Sequence, residues 1–169
     1  MAVVSHPHPA FGGTMDVWLL ATVAERLAAR GWRSLRFDFR RDVGDPSAAV
    51  ADLAGAVDAV HVAHLPLALV GWSFGALVGL LHGPHDPRVT HWVGIAPPTA
   101  PMEGLPMPAV PARVGSWPAR RVVIVGQHEQ FFPDPAPAQP HEVKVVAGAD
   151  HFFFDRDDEV ADLVAACLP

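Results

Sequence analysis

Short apolar runs alternate along this chain with longer segments in which apolar residues recur at helical spacing. This alternation is typical of a parallel β-sheet covered by helices on both faces, because strands buried in that way are continuous apolar runs. The sequence therefore predicts an α/β fold of three layers, α/β/α, with a mostly parallel sheet of six strands in the middle. The predicted strands span residues 2–5, 34–38, 67–71, 91–96, 121–126 and 142–146.

Four segments carry the helical spacing. Thr14 is expected to cap the first helix, and Gly31 is expected to end it in the left-handed conformation that glycine adopts without strain. Asp45 is expected to cap the second helix, with Pro46 in its first turn. The other two helices are predicted over residues 74–82 and 157–167.

Two proline-rich stretches stand where crossover helices would normally lie. Residues 97–118 hold seven prolines, and residues 133–140 hold four. Because proline lacks the backbone donor that a helix interior needs, both stretches are expected to be irregular. The first stretch is either a lid over a site or plain surface.

Composition and net charge limit the number of domains and the classes of partner that this chain is expected to bind. The chain has 169 residues, 50% of them hydrophobic, which predicts a single domain over residues 1–169. A net charge of −6 disfavours nucleic acid, and no apolar run reaches the roughly 20 residues of a membrane span, so a small-molecule substrate is expected. The single cysteine, Cys167, excludes an intramolecular disulfide and fits a cytoplasmic location, which is the one expected here.

The segment Gly71-Trp72-Ser73-Phe74-Gly75 fits the pattern G-x-S-x-G between a predicted strand and a predicted helix. In this context the pattern indicates a nucleophile elbow, a strained turn that exposes its serine, with Ser73 as the candidate nucleophile. The backbone N–H of Phe74, at the helix N-terminus, is a candidate oxyanion donor. The alternative is a glycine-bracketed turn with a passive serine.

A serine nucleophile needs a base and an acid. His151 follows the last predicted strand through a short loop, which brings it to the same sheet edge as Ser73 and makes it the candidate base. Glu129, three residues beyond the end of the fifth strand, is the candidate acid that orients the imidazole. Asp134 is its rival, and Asp150 is the weakest choice because adjacent side chains normally diverge.

A second oxyanion donor is expected in the loop after the first strand. Prolines in this loop leave the N–H groups of His8, Ala10 and Phe11, of which His8 is favoured. Trp72 and Phe11 are expected to line the substrate pocket. Neither a metal nor another cofactor is expected, since no carboxylate or second cysteine accompanies the paired histidines of the sequence.

Four blocks in order, Ser-His-Pro-His-Pro-x-x-Gly-Gly-Thr-Met-Asp, Leu-Arg-Phe-Asp-Phe-Arg, Gly-Trp-Ser-Phe-Gly and Gly-Ala-Asp-His-Phe-Phe, span residues 3–154. Together they resemble small bacterial α/β-hydrolases of the dienelactone-hydrolase-like group. The resemblance implies a serine hydrolase with Ser73 as nucleophile, His151 as base and an acid after the fifth strand. Where that family commonly has an aspartate, this chain has Glu129.

The chain departs from that family in two ways. Such proteins usually begin with a further pair of strands, so the resemblance implies a truncated α/β-hydrolase fold that lacks the first two strands, in the order 2-1-3-4-5-6. Strand two then becomes a sheet edge, through which a homodimer is a hypothesis. Residues 133–140 replace a helix, which is expected to leave Glu129 less firmly held.

These features predict a cofactor-independent serine hydrolase, in particular a carboxylesterase for a small ester. Two alternatives stay open. The first is a non-catalytic binding or scaffold protein of the same fold, and the second is an acyltransferase or peptidase that uses the same three residues.

Overall fold

The structure, a computed structural model, describes residues 1–40, 46–100 and 107–169. Its six strands are β1 (Ala2–Ser5), β2 (Ser34–Arg36), β3 (Leu67–Trp72), β4 (Val89–Ile95), β5 (Arg120–Gly126) and β6 (Glu142–Val146). All neighbouring strands are parallel, and their order is β2-β1-β3-β4-β5-β6, which confirms the prediction. The carboxyl ends of all six strands therefore meet at one edge of the sheet.

β2 ends two residues earlier than predicted. Its last residue, Arg36, pairs with Val4 of β1. The loop after β1 explains the difference. The Phe39 N–H instead donates to the ring Nε2 of His6 at 3.0 Å. A side chain thus satisfies a backbone donor that a longer strand would have used.

β4 begins two residues earlier than predicted, because the pairing with β3 is irregular at its start. Leu67 pairs with Val89 and Ala68 with His91, so Thr90 is left without a partner in the register. Its hydroxyl donates to the Leu67 carbonyl at 3.1 Å.

The four helices are α1 (Trp18–Ala29), α2 (Pro46–Val60), α3 (Phe74–His82) and α4 (Asp157–Ala166). Gly31 has φ +81° and donates to the Ala28 carbonyl, so the prediction that it ends α1 is confirmed. The prediction for Thr14 is wrong. Its hydroxyl accepts from the Asp16 N–H within a preceding turn, and α1 starts at Trp18 without a side-chain cap. The predicted cap Asp45 lies outside the described residues.

Helices pack on both faces of the sheet and form the expected three layers. On one face α1 and α4 bury a core against the sheet, and on the other face α2 and α3 do the same. The buried residues of the first face include Leu20, Val23, Leu27, Val160 and Val164; those of the second include Leu53, Val57, Phe74, Val78 and Trp92.

Both proline-rich stretches are irregular in their described parts, which hold only the 3₁₀ helices Ala112–Ser116 and Ala136–Ala138. The Thr99 hydroxyl, in the first stretch, donates to the Asp134 carbonyl in the second. Residues 101–106 of the first stretch lie outside the described residues, so its role as a lid stays a prediction. Within the described ranges, none of the helices has both the length and the apolar character that a bilayer crossing requires.

Candidate active site

The turn between β3 and α3 has the geometry of a nucleophile elbow. Ser73 has φ +51°, a left-handed conformation that is strained for a residue with a side chain. A Cβ atom on Gly71 would lie 2.4 Å from the backbone N of Ala76, and one on Gly75 would lie 2.5 Å from the carbonyl oxygen of Ser5. Only glycine at both positions lets β1, β3 and α3 approach this closely.

The structure brings His151 and Ser73 together. The ring Nε2 of His151 lies 3.2 Å from the Ser73 hydroxyl oxygen, within hydrogen-bond distance. His151 is 7% exposed, whereas Ser73 is partly exposed at the wall of a cavity. This arrangement allows the imidazole to accept the hydroxyl proton.

Glu129 lies on the other side of the imidazole. Its Oε2 is 2.9 Å from Nδ1 of His151, and its Oε1 accepts the N–H groups of Phe131 at 2.9 Å and Phe132 at 3.2 Å. A carboxylate only accepts, so Nδ1 carries the proton and Nε2 is free to accept from Ser73. Despite the missing helix, three hydrogen bonds hold Glu129, in contrast to the loose carboxyl expected from the sequence.

The pKa of Glu129 reflects two opposing causes. Burial of the carboxyl is the largest single influence, and it raises the pKa. The hydrogen bond and charge of His151 lower the pKa, as do the N–H groups of Phe131 and Phe132, and together these effects exceed that of burial. The net pKa lies below its ordinary value, so the carboxylate is charged at neutral pH and can stabilise an imidazolium.

The two rival acids serve local turns instead. Asp134 accepts the Ala136 N–H at 2.9 Å, and Asp150 accepts the Phe152 N–H at 2.9 Å. Of the three acids weighed from the sequence, Glu129 is the one within hydrogen-bond distance of His151.

The loops that carry Glu129 and His151 are bonded to each other. The His128 N–H donates to the Ala149 carbonyl at 2.8 Å, and the Gly148 N–H donates to the Gln127 side chain at 2.9 Å. A Cβ atom on Gly126 would lie 2.5 Å from the Ala149 carbonyl oxygen, so glycine permits this contact. The acid and the base are therefore placed by one hydrogen-bonded unit.

The hydrogen bonds of the loop after β1 distinguish among the candidate oxyanion donors. The Ala10 N–H donates to Nδ1 of His8 at 3.1 Å, and the Phe11 N–H donates to the His8 carbonyl at 3.0 Å. Among the described residues, neither the N–H of His8 nor that of Phe74 has a hydrogen-bond partner. Both residues line the same cavity as Ser73.

His6 is a functional candidate that sequence reasoning missed. Its Nε2 accepts the Phe39 N–H, so its Nδ1 carries the proton and donates to the Pro7 carbonyl at 2.6 Å. Burial lowers the pKa of His6 and outweighs the hydrogen bond to Pro7 and the charge of Asp38. A neutral, fully buried imidazole thus ties the loop after β1 to the segment that follows β2. Two histidines separated by one proline were the available signal.

A cavity of about 340 Å³ opens beside Ser73. Trp72 and Phe11 both line it; Trp72 is 6% exposed and Phe11 is 71% exposed. Its other lining residues are Pro7, His8, Gly12, Gly13, Val17, Trp18, Phe74, Met107, Phe131, Phe132, His151 and Phe152. In the parts of the chain that the structure describes, no group of three or more His, Cys, Asp or Glu side chains is placed to hold a metal ion.

Comparison with known proteins identifies the fold. No protein-family model matches this chain. Uncharacterized protein RP471 of Rickettsia prowazekii (strain Madrid E) is 25% identical over 183 residues, covering 97% of this chain and 76% of the relative. An α/β serine hydrolase homologue from Coxiella burnetii is 27% identical with a TM-score of 0.83, covering 99% of this chain and 84% of that one. This chain has the α/β-hydrolase fold.

More distant structures share the fold at lower identity. Est1E from Butyrivibrio proteoclasticus is 17% identical with a TM-score of 0.78, covering 98% of this chain and 86% of that one. Pyrococcus furiosus esterase Pf2001 is 17% identical with a TM-score of 0.73, and the match covers 99% of this chain and 81% of that one. At this identity both likenesses show the fold alone, and the resemblance to the narrower dienelactone-hydrolase-like group stays a prediction.

Proposed function

We propose that this protein is a serine hydrolase that cleaves carboxylic esters of small molecules without a cofactor. The observation that carries the proposal is the continuous series of hydrogen bonds from Glu129 through His151 to Ser73, with distances of 2.9 Å and 3.2 Å. An aligned acid, imidazole and hydroxyl of this kind is the arrangement that activates serine for attack on an acyl carbon. The motif blocks that resemble dienelactone-hydrolase-like proteins support the same chemistry.

In the first half of the reaction the Ser73 oxygen attacks the ester carbonyl while its proton passes to Nε2 of His151. The tetrahedral oxyanion accepts hydrogen bonds from the N–H groups of Phe74 and His8. The intermediate then collapses, the carbon–oxygen bond to the alcohol breaks, and the alcohol leaves with the proton from His151. An acyl group remains on Ser73.

In the second half a water molecule attacks the acyl carbon and gives its proton to His151. Collapse of this second intermediate releases the carboxylic acid and returns the proton to Ser73. Glu129 stays ionised throughout and stabilises the imidazolium in both halves.

The test combines turnover of p-nitrophenyl acetate with covalent labelling by a fluorophosphonate. We expect one label per chain on Ser73, and a loss of turnover of roughly 10³-fold or more in Ser73→Ala and in His151→Ala. Ser116→Ala is the matched control, because the Ser116 hydroxyl donates to the Arg113 carbonyl at 3.0 Å, away from the cavity. This variant is expected to leave labelling unchanged. Labelling that persists in Ser73→Ala would refute the proposal.

The same experiment separates the alternatives. A non-catalytic protein of this fold would bind ligands but take up no label. An acyltransferase would be labelled, yet would pass the acyl group to an added alcohol or amine faster than to water.

We also propose that two copies pair through the outer edge of β2, because a sheet edge leaves backbone donors and acceptors unpaired. β2 is only three residues long, so the association is expected to be weak. Light scattering at micromolar concentration should give a mass between one and two copies, and a strictly monomeric mass contradicts pairing.

We also propose a cytoplasmic location, where the single cysteine, the buried Cys167, stays reduced.

A further inference from the structure

Among the described residues, five aromatic side chains are exposed; four of them line the cavity beside Ser73, and the fifth, Phe154, contacts two of these four. Phe11 is 71% exposed, Trp18 37%, Phe131 42%, Phe152 41% and Phe154 67%. We call these five residues the aromatic rim. Large apolar groups scattered singly on a surface are ordinary, but a contiguous cluster of them marks a binding surface.

Ring contacts connect four residues of the rim, whereas Phe11 contacts the ring of His8, which also lines the cavity. Phe154 is nearly parallel to Trp18 at a centroid distance of 6.3 Å and to Phe152 at 5.8 Å. Phe152 meets Phe131 edge to face at 6.1 Å. Phe154 does not line the cavity, but it joins Trp18 of α1 to Phe152 of the loop that carries His151. The four connected side chains therefore join α1, the loop after β5 and the loop that carries His151.

The wall of the cavity has the same aromatic character as the rim. Trp72 contacts Trp18 edge to face at 6.1 Å, and Phe74 and Phe132 also line the wall. The lining contains no Lys, Arg, Asp or Glu side chain among the described residues. Its titratable side chains are His8 and His151, and burial is the main cause that lowers the pKa of His8.

A carboxylate in such a cavity would lose its hydration and gain no cationic partner, which is strongly unfavourable. A neutral aromatic ring would cover the exposed rim and could take the edge-to-face and offset geometries that aromatic pairs prefer. The cavity of about 340 Å³ is at the lower end of the range for small-molecule sites, so it suits one ring and a short linker.

We propose that the substrate carries a neutral aromatic acyl group, such as an arylalkanoyl group, which is bound between the aromatic rim and Trp72. This inference rests on the proposed esterase function and adds a substrate class to it. It requires no further catalytic group, because the acyl carbon is attacked by the same Ser73.

The test uses p-nitrophenyl esters, so that the leaving group is constant and only the acyl group changes. The acyl groups are acetyl, phenylacetyl, cyclohexylacetyl and hemisuccinyl. We expect kcat/KM to be higher for phenylacetyl than for cyclohexylacetyl by roughly three- to tenfold, because the two groups have similar shapes and only the first has a π system. We expect the anionic hemisuccinyl ester to be slower than the acetyl ester by at least tenfold.

Two variants assign the preference to the rim. Phe152→Ala and Phe11→Ala are each expected to lower the ratio of phenylacetyl to cyclohexylacetyl kcat/KM toward one. Phe11 is so exposed that its removal leaves the core intact. The control is Val145→Ala on β6, an exposed apolar residue away from the cavity (60% exposed), which should leave the ratio unchanged.

The outcomes separate this inference from the function on which it rests. If fluorophosphonate labels Ser73 and p-nitrophenyl acetate is cleaved, but the phenylacetyl and cyclohexylacetyl esters react equally, the aromatic subsite is wrong and the esterase stands. If the hemisuccinyl ester is the best substrate, the exclusion of charge is wrong as well. If labelling fails, the function itself is overturned.

Discussion

The indole Nε1 of Trp72 donates a hydrogen bond of 3.3 Å to the backbone carbonyl of His151. The residue that precedes the candidate nucleophile thus binds the loop that carries the candidate base. Both residues are buried, so water competes little for this bond. Trp72 is therefore a positioning residue as well as a part of the cavity wall.

Replacing Trp72 with Phe should lower kcat about tenfold, because the His151 carbonyl loses its donor and the imidazole is held less firmly opposite Ser73. A net loss of about 1 kcal/mol in the free energy of unfolding accompanies the lost hydrogen bond. The measurements are the rate of fluorophosphonate labelling and urea denaturation.

Trp117→Phe is the matched control for this substitution. Trp117 is equally buried at 6% exposure, but its indole N–H has no partner among the described residues and it lies outside the cavity. It should lose comparable packing energy and keep its labelling rate. Equal labelling rates in the two variants would contradict a positioning role for Trp72.

Replacing Glu129 with Gln keeps the shape of the side chain but removes its charge. We expect kcat to fall on the order of 10³-fold, because a neutral amide no longer stabilises the imidazolium and can present the wrong group to Nδ1 of His151. Asp134→Asn is the control and should retain nearly full activity, since the Asp134 carboxylate accepts from the Ala136 N–H of its own turn. A large fall in kcat for Asp134→Asn with nearly full activity in Glu129→Gln would instead assign the role of the acid to Asp134.

The lowered pKa of Glu129 also predicts the sign of a pH effect. A carboxyl whose pKa is lower in the folded state contributes stability above its ordinary value of 4.5, and this contribution is lost as the pH falls below that value. The difference in unfolding free energy between wild type and Glu129→Gln should therefore shrink between pH 5 and more acidic conditions. Urea titrations at several pH values measure it.

Two glycine substitutions should have opposite effects. A Cβ atom on Gly13 would lie 2.0 Å from the Pro7 carbonyl oxygen, so Gly13→Ala must displace the loop that carries His8. We expect it to destabilise the protein by about 1–3 kcal/mol and to slow labelling. Gly55 lies inside α2, and outside the helix's own backbone no atom of the described residues lies within 4 Å of its would-be Cβ. Gly55→Ala should therefore stabilise by about 0.5–1 kcal/mol and leave labelling unchanged.

Urea denaturation and labelling of both variants test this pair. A neutral result for Gly13→Ala would show that the loop that carries His8 has room to move and is not held in place by the close approach of Gly13 to Pro7.

Local sequence signals predicted the parts of the site that depend on backbone geometry. The elbow at Ser73 requires two glycines around one residue, and this requirement is visible within five positions. The position of His151 follows from the alternation of elements, and the strand order was implied by the resemblance of the four blocks. The elbow and the position of His151 each depend on a short segment of the sequence, so a short segment is enough to predict them.

The parts that were missed depend on contacts between distant segments. Glu129 was the candidate acid from its position after the fifth strand, but the hydrogen bonds that hold it depend on loop conformation, which periodicity does not describe. The bond from Trp72 joins residues that are 79 positions apart. The aromatic rim likewise combines residues from the beginning and the end of the chain, and no single segment of the sequence contains its pattern.

Asp86 provides a test of stability away from the active site. Its carboxylate is 6% exposed and accepts two hydrogen bonds from the guanidinium of Arg88, at 2.8 Å and 2.6 Å. These bonds are the main cause that lowers the pKa of Asp86 to about 2. His82, at the end of α3, also lies 3.1 Å from this carboxylate. The cluster ties α3 to the start of β4.

Asp86→Asn should lower the free energy of unfolding by about 1.5–3 kcal/mol at pH 7, because a charged acceptor of several hydrogen bonds is lost. The folded pKa is below the ordinary 3.8, so this stability is present above pH 3.8 and is lost as the pH falls toward 2. The difference between wild type and Asp86→Asn should therefore decrease from pH 5 to pH 2.5. Asp58→Asn, which removes one exposed partner of Arg88, should cost less at every pH, and a pH-independent difference for Asp86→Asn would contradict the lowered pKa.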